Sequence, residues 1–186
     1  NDIKQIKAVL DKSYKFEKII TVINGTKKEI LNGFIELSKL STDNDYVLIY
    51  YAGHGDIKYQ QAYWIPKEGT DKYFTWVDVK QLTNTLEFIK ARDILLMIDS
   101  CYSGLSFKKG NKNKIGDELS INPKVIKNAS IMYSRKVLTS GTGDKRVNDT
   151  FQNKRNSLFA IGFLKLLNEN RSNLLAESIY SKLKYF

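Results

Sequence analysis

The chain holds one cysteine and one histidine among 186 residues. A single cysteine excludes an internal disulfide framework and any zinc site built from several thiolates. No long apolar segment is present, which argues against a transmembrane helix. No internal repeat or low-complexity tract interrupts the chain, and its length suits one domain able to bury a sizeable core. The opening residues lack the basic start, apolar centre and small-residue cleavage site of a signal peptide. A cytoplasmic setting, where a thiol stays reduced, and no membrane contact are therefore the expectation.

Several common sites are also missing. The stretch Gly141-Thr142-Gly143-Asp144-Lys145-Arg146 has neither the glycine spacing nor the Lys-Ser/Thr ending of a phosphate-binding loop. Ser100 and Ser103 lack the Gly-x-Ser-x-Gly frame of a serine nucleophile elbow. The acidic residues form no recognisable calcium loop, so no metal site is specified. Acids are outnumbered by bases, 20 against 30, for a formal net charge of +10. Phosphate contacts would suit such a charge, but the lysines are scattered. Only residues 108–114 are dense in them, without the interleaved aromatics of a stacking platform. A solvated loop is the plain reading of that stretch, and direct nucleic-acid binding is not expected.

What is present is a pair of reactive side chains in matched settings. Cys101 lies in Asp99-Ser100-Cys101-Tyr102-Ser103-Gly104, directly after the apolar run 94–98, which reads as a buried strand. His54 lies in Gly53-His54-Gly55, directly after the run 46–52, which reads the same way. If the two strands are parallel neighbours, their C-terminal ends lie side by side, at the edge where open α/β sheets place ligands and chemistry. Taken alone, Cys101 reads as a small buried hydrophobe and His54 as a turn residue. Taken together, no other Cys or His competes for a thiol–imidazole role.

The remaining chain alternates elements. Ile3, Ile6, Val9 and Leu10 give helical spacing, and residues 19–23 read as a short apolar strand. Thr26 and Glu29 form a capping-box signature opening a helix to about Leu40. Residues 59–65 suggest an extended or hairpin segment, and Thr75-Trp76-Val77-Asp78 opens a helix with Leu82, Leu86 and Ile89 on one face. Residues 107–128 read as a long loop, 136–139 as a strand, and 157–167 and 175–185 as helices. Strands separated by helices predict an α/β fold, a mostly parallel central sheet with helices on both faces.

The motifs Tyr50-Tyr51-Ala52-Gly53-His54-Gly55 and Asp99-Ser100-Cys101-Tyr102-Ser103-Gly104 resemble the histidine and cysteine motifs of the caspase family, closest to its prokaryotic metacaspase-like members. Ala62-Tyr63-Trp64-Ile65-Pro66, Val137-Leu138-Thr139-Ser140-Gly141 and Asn156-Ser157-Leu158-Phe159-Ala160 extend the likeness over nearly the whole chain in the family's order. The resemblance implies a caspase-like fold and one peptidase domain over residues 1–186. It further implies a domain cut from a larger protein, with the sheet's first strand supplied upstream of residue 1.

For mechanism, a thiol is more nucleophilic once a nearby imidazole stabilises its thiolate. Cys101 is the expected nucleophile and His54 the carrier of the proton that the leaving amine requires. The resemblance implies backbone N–H groups at Gly55 and Cys101 as oxyanion donors, and Ser140 and Gly141 as contacts to the substrate main chain. Animal caspases carry Gln two residues before the catalytic Cys, whereas this chain has Asp99. The resemblance places that carboxylate in the pocket for the residue before the cleaved bond, where it would pair with Arg or Lys, and a bidentate arginine contact would suit it. A plain turn-capping carboxylate is the other reading of Asp99. Asp149 and Asp144 are weaker acidic candidates, since loop aspartates commonly satisfy their own backbone.

The expected function is a cysteine endopeptidase that cuts protein or peptide substrates after Arg or Lys and is latent until a regulatory domain or partner activates it. Regulated proteolysis in prokaryotic defence or cell death is the context the resemblance implies. No cofactor is expected; calcium activation occurs in some relatives but is not indicated by these residues. Self-processing within 108–114 is a further expectation. A catalytically idle caspase-like interaction module is the alternative reading.

Overall fold

A computed structural model describes residues 2–100, 134–140 and 156–169, with residues 179, 181 and 183. Helix α1 (Asp2–Ser13) is followed by α2 (Lys27–Leu40), then β1 (Tyr46–Ala52), a hairpin of β2 (Gly55–Lys58) and β3 (Gln61–Trp64), and the short strand β4 (Val77–Asp78). Next come α3 (Val79–Thr85), β5 (Asp93–Asp99), β6 (Ser134–Thr139) and the helix α4 (Leu158–Glu169).

The apolar runs that end at Ala52 and Ile98 are neighbours. β1 pairs parallel with β5 from Tyr46↔Asp93 to Ala52↔Asp99, and β5 pairs parallel with β6. A parallel strand covered on both faces needs apolar residues at successive positions rather than alternating ones, and β5 is buried from Ile94 through Asp99; β1, expected to be buried in the same way, is only half-buried, with Tyr46 exposed. Its pleat divides the core in two. Ile94, Leu96 and Ile98 pack with Leu82, Leu86 and Ile89, against the half-buried face of α2 formed by Ile30, Leu31, Phe34 and Leu37. Leu95 and Met97 face the other way, onto Ile6 and Leu10 of α1 and Phe163, Leu166 and Leu167 of α4. Full burial of each such side chain contributes about 1.5–3 kcal/mol. Helices thus cover both faces, as the alternation of elements predicts.

Local chemistry explains most of the element ends. The Thr26 side chain accepts from the Glu29 N–H, while the Glu29 carboxylate accepts from the Thr26 N–H at 2.7 Å, a complete capping box. Glu29 is exposed, and the Thr26 backbone N–H is the main cause holding its carboxyl below the usual range. The Arg135 guanidinium donates to the backbone carbonyls of Ile89 and Ala91, at 3.0 and 2.9 Å, and so ties β6 to the chain entering β5.

Three further expectations need correction. Residues 19–23 form no strand: Ile19 joins the core beside α1, but the segment pairs with none of the described strands, whose parallel sheet runs β1-β5-β6. An apolar run records burial, and a strand also needs a hydrogen-bonding neighbour. The helix expected from Thr75 begins only at Val79, because Asp78 is its cap, accepting from the N–H groups of Lys80 and Gln81. Gly55 is not part of a flexible turn but the first residue of β2, paired with Trp64. The extended or hairpin segment expected over 59–65 holds only the turn and second strand of the hairpin, and at the turn Tyr59 and Gln60 both take positive φ without the Asn-Gly signature such turns favour. The expected loop at 107–128 lies outside the described residues, as does most of the helix expected at 175–185, of which Ile179 is helical and buried.

Among the described residues, no helix is long and apolar enough to cross a membrane.

Candidate active site

Parallel pairing sets the site. Ala52 is in register with Asp99, and the Gly53 N–H continues the ladder by donating to the Asp99 carbonyl at 3.2 Å. His54 therefore follows the last paired residue of β1 by two positions, just as Cys101 follows that of β5. Both chains leave the same edge of the sheet.

The histidine turn is braced from beneath. The Tyr51 ring stacks on Trp64 with centroids 3.7 Å apart and planes 5° from parallel. Its hydroxyl donates to the His54 carbonyl at 2.9 Å, and that carbonyl also accepts from the Ile65 N–H at 3.0 Å. A Cβ at Gly53 would stand 2.7 Å from the Tyr51 hydroxyl, so glycine is required here by close approach of the ring. His54 itself is exposed. In the Gly55↔Trp64 pair, the neighbouring residues exchange the ladder hydrogen bonds, as the Ile65-to-His54 bond indicates. The Gly55 N–H accordingly points away from β3.

Asp99 is buried, at 8% exposure. The same pleat parity that sends Leu95 and Met97 toward α1 and α4 carries its side chain to that face. There its Oδ2 accepts from the Tyr50 hydroxyl at 3.0 Å and from the Ser157 hydroxyl. The Ser140 hydroxyl, on the residue that follows β6, is buried and makes no hydrogen bond at close range, but lies near enough to favour the charged form slightly. Burial outweighs these donors and pushes the Asp99 carboxyl above the usual range. Tyr50 is driven far above its ordinary range, first by burial and then by the Asp99 charge, so it remains a hydroxyl donor. Among the described residues, no lysine or arginine forms an ion pair with Asp99.

Asp99 and His54 share a cavity of about 330 Å³, which is also walled by Ser157, Asp2, Ile23 and Asn24. Burial raises the Asp2 carboxyl as well, while the Ser157 backbone N–H opposes that shift. A cleft with a buried carboxylate at its wall and an imidazole at its mouth can receive a cationic side chain and a peptide bond together.

Of the site residues expected from sequence, the structure brings together His54 and Asp99 around one cavity and sets Ser140 beside Asp99; Gly55 opens β2 next to His54. Cys101, Gly141, Asp149, Asp144 and the stretch 108–114 lie outside the described residues. Sequence reasoning missed Tyr50, Ser157 and Asp2. Ser157 had a signal, since serine just before the apolar run of α4 is a helix cap, and its Oγ does accept from the Ala160 N–H at 2.9 Å. Tyr50 had none, because its partnership exists only once the register of β1 on β5 is known.

Comparison with curated proteins gives no match. The family model described as the Caspase domain matches residues 1–185. Such membership supports a cysteine peptidase, and it agrees with a parallel sheet flanked by helices. On a match spanning almost its whole length, the chain belongs to the caspase-domain family.

Proposed function

We propose that the protein is a cysteine endopeptidase that cleaves after Arg or Lys, with Cys101 as nucleophile and His54 as its acid–base partner. The observation that carries this reading is the β1–β5 register: His54 and Cys101 each lie two residues beyond the paired Ala52 and Asp99. The Cys101 thiolate attacks the scissile carbonyl carbon, forming a C–S bond and a tetrahedral oxyanion, for which the N–H groups of Gly55 and Cys101 are the donors. The C–N bond then breaks as the leaving amine takes a proton from His54. Water attacks the thioester, releasing the carboxylate product and the free thiol.

Preference for a cation is supported by Asp99, a buried carboxylate on the cavity wall that has hydroxyl donors but no ion-pair partner among the described residues. Burying a charge without a counter-charge is costly, and a substrate Arg or Lys would supply the counter-charge. Ser140 and Gly141 are the proposed main-chain contacts and Asp149 a second acidic contact to substrate. Latency until a partner or accessory domain acts, a metacaspase-like subtype and a role in prokaryotic defence belong to the same reading and rest on motif resemblance, while a cytoplasmic location rests on the single cysteine, a thiol that a reducing compartment would keep free.

The test is hydrolysis of fluorogenic peptides ending in Arg, Lys or Asp, with Cys101→Ala as control and with or without calcium. Arg or Lys cleavage that disappears in the variant is expected. Cleavage after Asp would overturn the pocket assignment, and turnover that survives Cys101→Ala would overturn the nucleophile.

A further inference from the structure

The Asp99 carboxylate is already largely engaged. Each carboxylate oxygen offers about two acceptor sites, and both donors that the structure shows at close range, the hydroxyls of Tyr50 and Ser157, converge on the same oxygen, Oδ2. Neither donor is free to swing away. The Tyr50 ring is stacked on Phe163 of α4, with centroids 5.6 Å apart and planes 7° from parallel, and on Phe159 at 6.3 Å. Ser157 is fixed as the cap of α4, where its Oγ takes the Ala160 N–H. A guanidinium fork needs one acceptor site on each carboxylate oxygen, and here one of the two is occupied from the protein side.

We propose that Tyr50 and Ser157 are positioning residues that set specificity: by occupying Oδ2, they leave Asp99 a single oxygen for the substrate. The pocket then takes a basic side chain end-on. A lysine ammonium makes this contact as well as an arginine does, so the usual geometric advantage of arginine is lost. The inference rests on the reading of Asp99 as the pocket carboxylate, and it replaces the bidentate arginine contact expected from sequence. Among the described residues, Asp2 from α1 acts on this carboxylate, and His54 and Lys4 line the same cavity.

The test is the ratio of kcat/KM for matched peptides ending in Arg and in Lys, measured on the full protein for wild type, Tyr50→Phe, Ser157→Ala and Ser157→Thr. Wild type is expected to favour Arg by less than about tenfold, the range of discrimination without a dedicated hydrogen-bonding fork. Tyr50→Phe and Ser157→Ala each free a site on Oδ2, so the Arg/Lys ratio should rise by about threefold or more even where both rates fall. Ser157→Thr keeps the hydroxyl and should keep the wild-type ratio. A purely structural role would lower both rates together and leave the ratio unchanged, and that result overturns the proposal. Asp99→Asn separates the two levels: if it cleaves Arg and Lys peptides like wild type, the pocket reading itself is wrong. Should peptide turnover be undetectable, the ratio of Cys101 labelling rates by arginyl and lysyl chloromethyl ketones gives the same comparison.

Discussion

The two faces of the parallel sheet use one pleat for different ends. Toward α2 and α3, every inward residue of β5 is aliphatic up to its last turn outward: Ile94, Leu96 and Ile98. Toward α1 and α4, the series Leu95, Met97 ends in Asp99, and β1 matches it with Leu48 and then Tyr50. The first face holds the fold together. The second does so along most of its length and then, at the C-terminal edge, gives up apolar burial for a hydroxyl–carboxylate cluster beside a cavity. A buried carboxylate with no counter-charge costs stability, and its presence on one face alone is what the proposed active site would explain.

Three measurements would break or sharpen that contrast. The largest effect is expected at the cavity mouth: His54→Ala should lower peptide turnover by about 10³-fold, within the range for a lost acid–base group, while the urea midpoint stays at the wild-type value because His54 is exposed. A midpoint that fell with the activity would make His54 a structural residue. Next, Leu96→Ala on the apolar face should cost about 2–5 kcal/mol of stability, yet turnover per folded molecule should be unchanged. An equal loss of turnover would mean that the two faces are not separable.

The smallest effect in stability, and the sharpest in sign, concerns Asp99. Its carboxyl is raised above the 3.8 of an unperturbed aspartate, chiefly by burial. The folded state therefore holds that proton more tightly than the unfolded one, and the contribution of Asp99 to stability falls as pH rises from 3.8 through the raised value. Asp99→Asn removes this cost, and its side-chain oxygen can still accept from Tyr50 and Ser157. Urea unfolding at pH 7 should show the variant at least as stable as wild type, with the gap narrowing below pH 4, whereas Arg-peptide cleavage should drop about 100-fold or more. Wild-type cleavage should likewise fade at a higher pH than an ordinary carboxylate would impose. A variant that lost both stability and activity at pH 7 would assign Asp99 to the fold instead.

Much of this was legible in particular residues. The runs before His54 and Asp99 marked two strands, of which only the second, β5, is buried; β1 is half-buried, with Tyr46 exposed. Thr26 and Glu29 marked a helix start because capping is a contact between residues three apart. Residues 19–23 misled for the opposite reason: their apolar character is local, but strand pairing depends on a neighbour elsewhere in the chain. Gly53 read as a generic turn glycine until the Tyr51 ring was found folded against it.

By itself, then, the sequence determined the elements whose signals are local: a helix cap, two apolar strands, and two reactive residues each following one of them. Tertiary structure alone decided which strands pair and in what register, and hence that Tyr50 of β1 and Ser157 before α4 meet on one oxygen of Asp99. The physical reason is range. Caps and hydrophobic periodicity act within a few residues, whereas a contact between positions 50, 99 and 157 exists only after a parallel register and a helix packed on one chosen face have brought them together.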